Sequence, residues 1–145
     1  MGSHVAVDWS DSSRTCILVT YPENWNWDDF KQAGLDAETL LAEVDTDVDI
    51  IHHVTGSIPV NTMSQIPEIA RTSPSLINPR IRYAIVVGAS RYLEMAYRMF
   101  RSIYPQVTER LMMAETLDAA YQLIAEKRAE ASQRRITAHC QSTAR

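Results

Sequence analysis

The sequence predicts one α/β domain built on a mixed, mainly parallel sheet. Three observations carry this. The chain has 145 residues, room for one core. Short β-rich runs alternate with segments of helical apolar spacing. The first two β-rich runs are separated only by a short polar link.

That link is Ser10-Asp11-Ser12-Ser13-Arg14, between Val5–Trp9 and Thr15–Tyr21, and it predicts a leading antiparallel hairpin. A first helix is expected from Trp27, capped by Asn26, with Asp28 and Asp29 in the turn where the helix dipole favours acids. Trp27, Phe30, Ala33, Ala37, Leu40, Leu41 and Val44 fall on its inner face, and Gly34 weakens its middle. Val48–Val54 reads as a central strand broken by Asp49, His52 and His53. The second helix is expected to start with Ser64 as its cap, which keeps Pro67 within the first turn. Ser73-Pro74 and Asn78-Pro79 mark a long connection. Tyr83–Val87 is the cleanest buried strand, followed by Gly88 and a helix from about Ser90 to Tyr104 that Pro105 stops. A last strand, Arg110–Ala114, precedes a helix capped by Thr116 with Leu117, Ala120, Tyr121 and Ile124 inward.

The expected order is thus β-β-α-β-α-β-α-β-α: four or five strands, a leading hairpin and four helices mainly on one side, with right-handed parallel crossovers. Met1–His4 reads as a tag remnant, 5–126 as the domain, and 127–145 as a basic extension in which Gln133–Arg145 frays.

Composition narrows the class. No apolar run is long enough to span a bilayer and no secretory signal opens the chain, so the expectation is a soluble, cytoplasmic protein without membrane contact. Cys16 and Cys140 are far apart and lack ligand spacing, so neither a metal site nor a disulfide framework is expected. The net charge of −4 conceals an acidic stretch, Asp28–Asp49, and arginine-rich stretches from Arg71 to Arg110 and beyond Lys127. Solvated helix faces account for this pattern, and complementary patches for a partner or self-association are the sharper alternative. Nucleic-acid binding through those arginines is the weakest reading, because the acidic first helix opposes it.

Candidate functional residues cluster in two loops. His53 and Thr55 share a face near the carboxyl end of the central strand, where open α/β sheets bind ligands, whereas His52 points to the other face. Thr55, Ser57, Thr62 and Ser64 place hydroxyls before a helix, where turning and capping are the simpler explanation and an anion-binding or phosphorylated loop centred on Thr62 and Ser64 the sharper alternative. Gly88, Ser90 and Arg91 form the second loop, but the further glycines of a nucleotide loop are absent. Trp25 and Trp27 serve either as a staple or as an aromatic wall for a ligand. Asp45, Asp47 and Asp49 alternate at a junction, where exposure to water is the simpler explanation. No nucleophile elbow or metalloprotease motif is present, so no catalytic residue and no cofactor is assigned.

Several of these segments together resemble the STAS-like proteins, relatives of the sporulation anti-anti-sigma factor and of sulphate-transporter tail domains. They are Asn24–Phe30, Val48–Ile51, Thr55–Pro59, Ile85–Ala89 and Glu115–Ala120. The resemblance covers about residues 5–126 and is narrowest to small stand-alone bacterial members without an assigned function. It implies a mixed sheet with helices mainly on one side and a regulatory role through protein contacts. One-sided helix packing leaves a sheet face or edge that a homodimer would cover. The resemblance also implies a phosphoacceptor at Ser64 or Thr62. Here the stretch reads Asn61-Thr62-Met63-Ser64 and lacks the family's Asp-Ser-Ser/Thr-Gly pattern, and His53 stands where an acid is expected. The leading expectation is therefore a non-enzymatic STAS-like binding or regulatory module that contacts a protein partner or small ligand. The alternative is a small enzyme or ligand carrier with a strand-end pocket at His53.

Overall fold

The computed structural model describes residues 5–88, 90–107 and 110–143. The tag-like Met1–His4, Ala89 of the second loop and the Cys140 side chain lie outside the described residues. Strands β1 (Ala6–Trp9), β2 (Cys16–Tyr21), β3 (Val48–Val54), β4 (Ile81–Val87) and β5 (Leu111–Ala114) form one sheet in sequential order. β1 and β2 pair antiparallel, and every later pair is parallel. Helices α1 (Trp27–Leu41), α2 (Thr62–Thr72), α3 (Pro74–Ile77), α4 (Arg91–Ile103) and α5 (Leu117–Thr143) complete the fold, with a 3-10 turn at Pro105–Val107.

Local chemistry sets most boundaries. Arg14 adopts a positive φ of 55° in the hairpin link, and Asp11 Oδ1 accepts the Ser13 N–H at 3.1 Å. Asn26 caps α1 in a reciprocal box: its Oδ1 accepts the Asp29 N–H, and Asp29 Oδ2 accepts the Asn26 N–H, both at 2.9 Å. Gly34 costs α1 some intrinsic stability but lets α3 approach. A Cβ there would stand 3.2 Å from Pro74 Cδ.

Four helices pack on one face of the sheet. Ala33, Ala37 and Leu41 of α1, Ile66 of α2 and Leu93, Ala96 and Phe100 of α4 meet Ile17, Val19, Ile50 and Ala84. Helix α5 lies on the opposite face, where Ala120 and Ile124 meet Cys16, Ile51, Ile85 and Val87. It therefore covers much of the sheet face that a homodimer was expected to cover.

A buried ion cluster fixes α5. Asp49 is 0 % exposed, Arg128 Nε donates to its Oδ2 at 2.7 Å, and Arg128 Nη2 also reaches the Thr15 carbonyl at 2.9 Å. Arg82 Nε stands 3.9 Å from the other carboxylate oxygen. Burial pushes the Asp49 carboxyl above its ordinary range, while the two guanidinium groups pull it down. The expected exposure of Asp49 is thus corrected: an arginine 79 positions away meets its carboxylate.

Other expectations are also corrected. Helix α2 begins at Thr62, so Pro67 lies beyond the first turn, at an exposed position. The proline-rich connection contains the short helix α3, which raises the helix count to five among the described residues. Helix α5 continues to Thr143 through the stretch expected to fray, and residues 132–138 on it are exposed. Tyr121 is 39 % exposed, and Leu123 packs in its stead. Arginines read as a basic patch are partly structural. Arg80 donates to the carbonyls of Leu41, Val44 and Thr46, and Arg110 to those of Asn78 and Ile81.

Arg128→Ala leaves the buried Asp49 carboxylate without its nearest cation, so urea denaturation should show a loss of about 3 kcal/mol. Replacing Asp49 and Arg128 together by leucine should recover only part of that loss, because Arg82, whose buried Nε has no hydrogen-bond acceptor, then loses its counter-ion.

Candidate functional site

Between the sheet and helices α1–α4 lies a cavity of about 130 Å³. Its floor is His52, Val86 and Leu111, on three adjacent parallel strands. Ile66 and Ile69 of α2 and Ala96 and Phe100 of α4 close it from above. Trp25, Trp27 and Phe30 form one end, and Ser73, Ser75 and Leu76 another. Small residues at Ala96, Ser73 and Ser75 leave space that larger side chains would fill.

The aromatic end is a packed series of rings. Tyr21 lies 4.7 Å from Trp25, Trp25 lies 5.0 Å edge-on to Trp27, and Trp27 lies 5.0 Å edge-on to Phe30. The two tryptophans therefore join the start of α1 to the sheet and also line a space, combining the two roles the sequence offered. Their indole N–H groups are buried without a hydrogen-bond acceptor, and the edge-to-face ring contacts surround them.

One polar row crosses the floor. The Tyr21 hydroxyl meets His52 Nδ1 at 2.7 Å, and His52 Nε2 meets Ser75 Oγ at 2.8 Å. Burial lowers the His52 pKa to about 4, so at neutral pH the ring is uncharged, takes one of these bonds and gives the other. Burial also pushes the Tyr21 phenol far above its ordinary range, which keeps it protonated. A serine beside an imidazole has the outline of a nucleophile and its base. An imidazole with a pKa near 4 is a weak base at neutral pH, however, and here a phenol holds its far side instead of a carboxylate. The row ties α3 to β3.

The residues singled out from the sequence distribute differently from expectation. His53 lies on the face of β3 that meets α5 and is not among the cavity residues, whereas His52 is. Thr55 is exposed and donates to the Tyr21 carbonyl at 2.9 Å; Ser57 is exposed. Of the hydroxyl loop only Thr62 lines the cavity. It is buried and donates to the Pro59 carbonyl at 2.5 Å, which separates it from the exposed Ser64, whose hydroxyl donates to the Asn61 carbonyl at 2.7 Å. Gly88 is buried, and a Cβ there would stand 2.4 Å from Leu93 Cδ2, so packing explains the glycine. Ser90 caps α4 by accepting the Leu93 N–H at 3.4 Å, and Arg91 is exposed. The two loops do not converge on the cavity.

Sequence reasoning missed His52, Ser75, Ile66 and Phe100 as one site. The available signal was His52 itself, a polar residue on the helix-covered face of a central strand. Cys16 is a second buried group, with its thiol pushed up to about 12 by burial, so it stays protonated and unreactive. Among the described residues no cluster of three or more acidic, histidine or cysteine side chains could hold a metal ion. No described helix is long and apolar enough to cross a membrane.

No family model, no curated protein and no solved structure matches this chain. The fold and the site define it instead: a five-stranded mixed α/β domain with a partly open, mostly apolar space under its four-helix face.

His52 has a folded-state pKa below its unfolded value of about 6.5, so its contribution to stability is complete above that value. It is lost as pH falls toward 4, because the unfolded chain takes up the proton first. Urea denaturation should show stability falling by about 2 kcal/mol more in the parent than in His52→Gln between pH 7 and pH 4.5.

Proposed function

We propose that this chain is a non-enzymatic binding module that holds a small ligand between its sheet and helices α1–α4. The observation that carries this reading is the cavity itself. A void of about 130 Å³ in a core this small stands against close packing, and it has the size of engineered cavities that bind small apolar molecules. A binding role is favoured over catalysis because the imidazole of the Ser75–His52 pair is a weak base. A STAS-like assignment remains part of the proposal. The leading hairpin, the sequential strand order and the four helices on one face support it.

A protein partner is the second reading. Met95, Met99 and Ile103 are exposed at four-residue intervals along α4, beside the seam where the Tyr92 hydroxyl donates to the Val60 carbonyl at 3.0 Å. Replacing the three residues by serine should abolish a partner contact made there and leave ligand uptake intact.

Ala96→Phe places a ring in the cavity. In a screen of small uncharged fragments by ligand-observed NMR, the parent should yield hits and a folded Ala96→Phe variant should lose them. Hits that persist in that variant would count against the cavity as the binding site.

A further inference from the structure

We infer that the ligand is an uncharged, ring-sized apolar molecule, with an aromatic monocycle as the best-fitting class. This rests on the reading of the cavity as a binding site and goes beyond it to ligand chemistry. Three observations limit the choice.

The first is charge. No acidic or basic side chain other than the neutral His52 lines the space, so a carboxylate or an ammonium group entering it would lose its hydration without gaining an ion partner. The second is the polar chemistry of the wall. Tyr21, His52 and Ser75 bond to one another, Thr62 donates to a carbonyl, and Tyr97 donates to the Leu111 carbonyl at 3.1 Å. The wall thus directs most of its hydrogen-bonding capacity at the protein and presents mainly carbon to the interior. The Trp25 and Trp27 indole N–H groups, buried without an acceptor, offer pairing for at most two acceptor atoms, so a ligand with more polar groups than that would leave them unpaired. Ser73, 3 % exposed, is the remaining hydroxyl on the wall and leaves room for one polar substituent at that end.

The third is size and shape. A void of about 130 Å³ is close to the volume of engineered cavities that take up benzene, and too small for a long acyl chain or a fused polycycle. Trp25, Trp27, Phe30, Tyr97 and Phe100 border it, so a flat ring finds both faces and edges of other rings to pack against.

Toluene and benzoate differ little in shape but differ in charge, and they make the test. Each is titrated into the full chain while tryptophan emission and melting temperature are followed. Toluene should change the emission and raise the melting temperature, with benzoate weaker by roughly a hundredfold or more. The emission change should persist in Trp9→Phe, whose ring lies outside the cavity, and vanish in Trp25→Phe/Trp27→Phe. Ala96→Phe should abolish toluene binding. Should that variant not fold, the tryptophan pair still locates the site. Benzoate binding as tightly as toluene, blocked by Ala96→Phe, would overturn the ligand class and leave the cavity reading standing. Binding of neither, or toluene binding that ignores both sets of variants, would overturn the two together.

Discussion

The two-residue alternation of β3 is the constraint on which the rest of the structure depends. β3 is the middle strand, paired in parallel along both edges, with helices α1–α4 on one face and α5 on the other. Ile50, His52 and Val54 face helices α1–α4, whereas Asp49 and Ile51 face α5. A shift of one residue would exchange the two sets and place a carboxylate in the cavity floor and an imidazole against Arg128. Each buried polar group on this strand is tolerated because a distant segment supplies its partner: Ser75 on α3 for His52, and Arg128 on α5 for Asp49.

These partnerships explain what the sequence could and could not disclose. Apolar spacing and capping residues made the element order, the hairpin and the start of α1 legible, because those depend on residues within a few positions of each other. Alternation also separated His52 from His53. It could not say which of the two would meet a cavity, since that depends on where α2 and α3 sit above the sheet. Asp49 read as an exposed junction residue because its partner lies 79 positions away and looked like part of a basic tail. Pro67 misled for a related reason. The proline rule favoured a late start for α2, but hydrogen bonds from the Thr62 and Ser64 hydroxyls to the Pro59 and Asn61 carbonyls accompany an earlier one. Helix α3 escaped notice because its four residues carry no periodicity to detect.

The cavity gives this arrangement its functional interest. A space of this volume leaves unmade the contacts that a filled core would make. Larger side chains at Ala96, Ser73 or Ser75 would fill it without altering the sheet. The Tyr21–His52–Ser75 row joins β2, β3 and α3 along one side of the space, and the tryptophan pair joins the start of α1 at one end. These bonded and stacked groups tie the bordering elements to the sheet, and a ligand would gain contacts that no protein atom now makes.

Crystals of the protein pressurised with xenon test this account most directly, because xenon enters preformed apolar cavities without needing specific chemistry. The account predicts a xenon atom under α2 and α4, in contact with Ile66 and Phe100 and above His52. A core in which those side chains have closed the space, with no xenon bound there, would contradict it.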